Sequence, residues 1–369
     1  MKKILLIYGA GAIGRGYIPW VFPPHLYAYY YVETNAALCN LLNAKKKFTT
    51  MQTKGGQYHS QEVPISHCYL LNEEKTIIKK ADAIITAVGP RNIISIVESL
   101  KHTAQPIICC ENDSSVPDFI ASVTGNANAV FAIPDVITSN TAPPSFLKKD
   151  PLSIVTEEGI CYIDRKVRHL KGNARYVGTA ELEKQWKAKL YLHNTPHCIA
   201  AYLGAILLKR YLHEIMVNKR AHSIINGAMH EMKEMLIKKF RIDKNFVNWY
   251  AKKELRRFRD PLLYDPISRI AREPFRKLAP SERLIGAAQL CLSCGVIPKH
   301  IMTGIIAACH YSNPKDSDAN IAYLVNSLTP RDFLKILMQL KPGEALYELL
   351  IESWPSHVAT LSTLKKNES

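Results

Sequence analysis

Ile4-Leu5-Leu6-Ile7-Tyr8-Gly9-Ala10-Gly11-Ala12-Ile13-Gly14 opens on a short apolar run and then breaks into glycines. A run of this length stopped by glycine predicts a strand buried on both faces, as in a parallel sheet. The glycines fit GxGxxG, in which the first permits a tight turn, the second lets a pyrophosphate approach, and the third lets helix and strand pack closely. A helix started there aims its first amides at a phosphate. That pattern is a dinucleotide motif only if a second strand ends in an acid. Leu26 to Val32, rich in tyrosine, ends at Glu33, placed to accept hydrogen bonds from the adenosine ribose and to repel a 2′-phosphate. The expected cofactor is therefore NAD rather than NADP, with Lys45, Lys46 and Lys47 as the counterweight.

Working outward, Ala83 to Val88 runs into Gly89-Pro90, and Ile107 to Cys110 runs into Glu111-Asn112. Both read as further parallel strands. Ligands of such sheets collect beyond the carboxyl ends of the strands. Val88, Gly89, Pro90, Glu111 and Asn112 are thus expected beside the nicotinamide half, as Gly9, Ala10, Gly11, Ile13 and Gly14 are beside the pyrophosphate. Asn112 can also face a substrate, or can cap the turn before Asp113-Ser114-Ser115.

The chain has 369 residues, more than one core usually supports, and two domains are expected, 1–190 and 191–369. With 47% hydrophobic and 22% charged residues, order is expected nearly throughout. The start Met1-Lys2-Lys3 imitates an export signal, but glycines interrupt the apolar run. No stretch has the roughly 18 apolar residues of a membrane span. Nine scattered cysteines without an export signal suggest reduced thiols in a cytoplasmic protein. Cys291 and Cys294 form the single CxxC, and the lack of a second such pair argues against a metal. A net charge of +16 favours anionic partners. The basic residues read as spread along the chain without a recognised module, so no nucleic acid is expected.

Beyond about residue 195 the spacing becomes helical. Ile225, Ala228, Met229, Met232, Met235 and Leu236 share one face and read as core. Further helices are expected over 284–293, 299–310, 319–327, 330–340 and 343–352, with a loop at 313–317. Where the halves meet lies Lys189-Leu-Tyr-Leu-His193-Asn194-Thr195-Pro196-His197. Asn194 or Thr195 is expected to cap a helix with Pro196 first, so that Asn194 and His197 face the same way. Removing hydride from an alcohol needs a base for its proton and donors for its oxygen. Lysine, asparagine and histidine supply both, provided burial or neighbouring cations lower the lysine pKa.

Lys189, Asn194 and His197 reproduce the K-x-x-x-x-N-x-x-H pattern of the polyol-specific long-chain dehydrogenases, and the chain resembles that family throughout. Gly9 to Gly16, Thr86 to Pro90, Cys110 to Asn112, Asn194 to His197, Arg257 to Leu284 and Gly295 to His300 carry the resemblance. It implies an α/β fold, an N-terminal Rossmann-type dinucleotide-binding domain followed by a mainly α-helical C-terminal domain. It implies Lys189 as general acid/base, Asn194 and His197 positioning the reacting oxygen, and Arg269 and Lys277 binding substrate oxygens, without a metal. Arg272 and Arg276 beside them suit a terminal phosphate, or else form a solvated face paired with Glu273 and Glu282. The expected substrate is a sugar alcohol phosphate oxidised to a ketose phosphate, mannitol 1-phosphate to fructose 6-phosphate. Another polyol, a hexuronate, or a catalytically silent relative are the alternatives. A monomer is expected. Thr138-Ser139-Asn140-Thr141-Ala142-Pro143 departs from the family's V-D-R-I-x-P, lacking its aspartate and arginine, and Trp186-Lys187-Ala188 lacks an acid that relatives carry.

Overall fold

The computed structural model describes residues 1–101, 103–313 and 321–366. They form two compact units, the first Met1–Trp186 with Leu262–Tyr264, the second Lys187–Pro261 with the described residues from Asp265 onward. The first ends four residues before the boundary expected from sequence, so Lys189 shares a unit with Asn194 and His197.

In the first unit the described residues build one ten-stranded sheet. In chain order its elements are β1 (Lys3–Tyr8), β2 (Tyr27–Glu33), helix α1 (Ala36–Lys45), β3 (Lys47–Lys54), β4 (Gln57–Leu70), β5 (Ala83–Thr86), β6 (Ile107–Cys109), α2 (Val116–Thr124), β7 (Ala129–Asp135), β8 (Ile154–Glu157), β9 (Ile160–Asp164), β10 (Arg175–Val177) and α3 (Thr179–Ala188). The spatial order is β10-β9-β7-β6-β5-β1-β2-β4-β3-β8. Strands β4, β2, β1, β5, β6 and β7 run parallel. Strand β1 is central because its run is apolar on both sides. Leu5 and Ile7 join one core with Tyr29, Tyr31 and Ile85, while Leu6 and Tyr8 join the other with Val32 and Ile84. The strand order reverses between β1 and β5, and the glycine loop leaves β1 at that switch point, where such sheets bind ligands. The antiparallel hairpin β3–β4, turning on Gly55 and Gly56 with positive φ, is not among the elements the sequence predicts.

The second unit is helical: α4 (Thr195–Ile206), α5 (Lys219–Phe240), α6 (Lys244–Arg257), α7 (Ile267–Ala271), α8 (Pro274–Lys277), α9 (Ile285–Ser293), α10 (Lys299–Cys309), α11 (Ile321–Ser327), α12 (Pro330–Ile336) and α13 (Ala345–Lys366). The methionine face of α5 is buried as the periodicity predicts. Residues 314–317 of the expected loop and 319–320 of the expected helix lie outside the described residues. Helix α13 outruns its expected end at 352, because Trp354, Leu361 and Leu364 continue a buried face past Pro355. No helix among the described residues is long and apolar enough to cross a membrane.

Candidate active site

The glycine loop is fastened from both sides. The Gly9 amide donates to Val32 O and the Ala87 amide to Tyr8 O, each at 2.9 Å, tying the loop to the ends of β2 and β5. A Cβ on Gly14 would lie 2.0 Å from Gly9 O, whereas one on Gly11 would meet nothing within 4 Å. Gly14, the third glycine of the motif, is thus demanded by packing. The second leaves open space above an exposed backbone, the cradle a pyrophosphate requires, so these residues fit a dinucleotide. Glu33 ends β2 as expected, and its carboxylate accepts from the amides of Ala10, Thr34 and Asn35 at 2.8–3.0 Å. It holds the loop as well as standing where a ribose would reach. Lys47 pairs with Glu62 at 2.8 Å on the neighbouring strand, which engages one of the three lysines weighed against Glu33.

Sequence reasoning misses Arg15. Buried directly after Gly14, it donates to Ala10 O at 2.5 Å and Leu152 O at 2.6 Å, strapping the loop from below. The signal was a charged residue between two glycines inside an otherwise apolar stretch. Glu111 is also buried. Its carboxylate accepts from the Val88 amide at 3.0 Å and the Gly89 amide at 2.7 Å, while burial pushes its pKa up. Its place is therefore beneath the Val88-Gly89-Pro90 turn that it fixes. Asp113 accepts from the amide and hydroxyl of Ser115 and so makes the turn for which Asn112 was the other candidate.

In the second unit the expected cap at Asn194 is absent. Asn194 keeps helical dihedrals and its side chain makes no capping bond. Instead Lys189–Asn194 is π-helical and runs directly into α4. The difference matters for chemistry. Five residues along an α-helix turn about 140° away from alignment, which would send Lys189 and Asn194 to different faces. The wider i→i+5 turn narrows that divergence. Thr195 fixes it, donating to Leu190 O at 3.3 Å and Arg283 O at 2.8 Å. His197 follows one α-turn after Asn194, and both are buried. Lys189 is half-buried.

Two histidines of this segment, His193 within the turn and His197 after it, have ring centroids 4.7 Å apart. His193 bonds Glu254 through Nδ1 at 2.6 Å, and Glu254, fully buried, also takes Arg257 at 2.6 and 2.7 Å. Burial drives the His193 pKa down to about 3 against the pull of Glu254, so the ring is neutral and its contact is a hydrogen bond rather than an ion pair. His197, also lowered by burial, bonds Asp265 through Nε2 at 2.9 Å. With an ionised partner there, the network assigns the His197 proton to Nε2.

Asp265 is the second residue missed by sequence reasoning. It joins two of the expected site residues, accepting from His197 and also from Arg269 Nε at 3.1 Å. Burial alone would raise its carboxyl, but Arg269 and the His197 bond outweigh that and hold it at about 2. Lys277 is buried and donates to Ile270 O and Arg272 O. Burial, with Arg283 and Arg276 nearby, brings its pKa down to about 7. Arg276 is committed to Glu273 at 2.9 Å and Glu282 at 2.8 Å, the paired alternative weighed above. Arg272 is exposed. In the segment that departs from the family, Thr138 Oγ1 and Thr156 Oγ1 lie 2.8 Å apart and Ser139 donates to Tyr264 O at 2.8 Å. Of these hydroxyls, that of Ser139 holds Tyr264 within the first unit.

The family model for the mannitol dehydrogenase Rossmann domain matches residues 3–253, and that for the mannitol dehydrogenase C-terminal domain matches residues 181–344. Among similar proteins, mannitol-1-phosphate 5-dehydrogenase of Caldanaerobacter subterraneus is 28% identical over 339 residues, 85% of this chain and 88% of that one. Its namesake from an Exiguobacterium species is 25% identical over 94% of this chain and 96% of its own. Among solved structures, Pseudomonas fluorescens mannitol 2-dehydrogenase in ternary complex with NAD and D-mannitol superposes with a TM-score of 0.75 at 13% identity, covering 99% of this chain and 95% of that one. A substrate-free D-sorbitol dehydrogenase gives 0.59 at 12%, covering 99% and 93%. At those identities the two structures speak to the fold.

Proposed function

The chain belongs to the mannitol dehydrogenase family, and on that premise we propose that it interconverts D-mannitol 1-phosphate and D-fructose 6-phosphate as an NAD-dependent oxidoreductase. The observation that carries the reading is the π-turn over Lys189–Asn194 that runs directly into the helix bearing His197. The relatives named for this reaction support the substrate. NAD, when bound, supplies the hydride acceptor.

Lys189 takes the hydroxyl proton as the C5 alcohol becomes a carbonyl, and returns it in the reverse direction. Asn194 offers its amide to the same oxygen. His197 keeps its Nε2 proton on Asp265 and presents the rest of a neutral ring to the substrate. Arg269 and Lys277 hold substrate hydroxyls, and Arg272, which has no carboxylate partner among the described residues, takes the terminal phosphate in place of the committed Arg276. Because all of these groups come from one unit of one chain, the proposed active form is a monomer. Nine free cysteines support a reducing, cytoplasmic setting.

Lys189→Ala tests the assignment. It should abolish NADH oxidation by fructose 6-phosphate while NADH still binds, and retained turnover refutes the role of Lys189.

A further inference from the structure

Between residues 219 and 259 the chain carries 12 Lys+Arg against 4 Asp+Glu, a net +8 out of the whole chain's +16. The excess is therefore concentrated, contrary to the even spread expected from sequence. These residues are α5, α6 and their flanks, and the two helices pack against each other. Between them runs a groove of about 430 Å³, a volume suited to a small molecule. Lys233, Lys252, Arg256, Arg259 and His230 line it together with Asn226, and no carboxylate does.

The four acids of the stretch are spent elsewhere. Glu231 accepts from the amides of His300 and Ile301 at the start of α10. Glu234 faces Lys238 at 3.7 Å, Asp243 caps α6 through the Phe246 amide, and Glu254 is buried against His193 and Arg257. Among the described residues, Lys233, Lys252, Arg256 and Arg259 consequently face no carboxylate. Arg259 is nevertheless held in place. Its guanidinium donates to His222 Nε2 at 2.5 Å, and Asn226 Nδ2 approaches the same nitrogen at 3.1 Å. Burial and Arg259 itself keep that histidine's pKa down, so a neutral acceptor orients the arginine without cancelling its charge. The groove wall is fixed from behind by Val247, Tyr250, Ala251 and Glu254, all buried.

We propose that the α5–α6 groove is a binding site for a compact polyanion, a small molecule carrying two or more phosphate groups. Two arginines supply fork geometry for phosphate oxygens and two lysines supply point charge. The residues belong to none of the groups assigned to cofactor or substrate above, so the inference does not depend on the proposed reaction.

The test is isothermal titration of inorganic tripolyphosphate into the full chain saturated with NADH, which keeps the dinucleotide site occupied. One saturable site per chain is expected, weakening as salt is raised. Arg256→Ala should weaken it about tenfold and the R256A/R259A double variant about a hundredfold, each arginine giving one charge-assisted contact. NADH affinity and melting temperature should not move, since both side chains are exposed. ATP and fructose 1,6-bisphosphate run as parallel ligands distinguish a nucleotide from a sugar source of the phosphates. Absence of saturable binding, binding unchanged in the double variant, or tighter binding of a single-stranded oligonucleotide than of tripolyphosphate would overturn the proposal, the last in favour of a nucleic-acid face.

Discussion

Replacing Asp265 by Asn keeps the size of a side chain that bridges His197 and Arg269 but removes its charge. Asp265 is 2% exposed and accepts from His197 at 2.9 Å and from Arg269 Nε at 3.1 Å. Its pKa of about 2, against an ordinary 3.8, corresponds to about 2 kcal/mol of stability. Because the folded value is the lower one, that contribution is present above the ordinary carboxylate range and fades as pH falls towards 2. Breaking a buried pair from one side costs about 3–5 kcal/mol. The Arg269 side chain is 22% exposed, and water will recover part of that, leaving about 2–3 kcal/mol, or a melting temperature lowered by about 5–10 °C at neutral pH. Losing two charge-assisted hydrogen bonds that orient site groups should cost kcat/KM about a hundredfold. NADH oxidation with fructose 6-phosphate, beside NADH binding and thermal melting, measures all three. A variant that melts lower yet keeps kcat/KM within about threefold would refute the positioning role and leave Asp265 as a structural residue.

Three further outcomes follow from the same geometry. Gly14→Ala drives a Cβ to within 2.0 Å of Gly9 O, so its melting temperature and NADH affinity should both drop. Gly11→Ala meets no protein atom within 4 Å, so calorimetry should show a normal melt with NADH affinity alone reduced; intact affinity would remove the pyrophosphate from this loop. Lys277, with its pKa near 7, is a cation below that value and neutral above it. The KM for fructose 6-phosphate should therefore acquire a rising component through about pH 7, absent from Lys277→Met, and identical pH profiles would contradict a substrate contact.

The dinucleotide half was legible because its rules are local. A glycine spacing, an acid at the end of the next strand, and apolar runs of strand length are each visible in a few neighbouring residues. The β3–β4 hairpin was not, since β4 mixes exposed and buried positions without strict alternation and only the Gly55-Gly56 turn punctuates it. At the site, Lys189, Asn194 and His197 were readable as types at a spacing. The π-turn over Lys189–Asn194 was hidden because Pro196 suggests a helix start and nothing local announces an inserted residue. Partners far along the chain were hidden too. His197 and Asp265 are 68 positions apart and His193 and Glu254 are 61 apart, so each pair becomes visible only when α4, α6 and the start of α7 pack. The arginines show the converse. Their charge is obvious in sequence, but whether it is spent on Glu273 and Glu282 or left for a ligand depends on three-dimensional pairing.

The most direct measurement is transfer of isotope from NADH deuterated at the reactive nicotinamide position to fructose 6-phosphate, read by mass spectrometry and NMR of the product. The account predicts mannitol 1-phosphate carrying one deuterium at C5, with no product from Lys189→Ala. Unlabelled product, or none at all from a wild-type chain that demonstrably binds NADH, would contradict it.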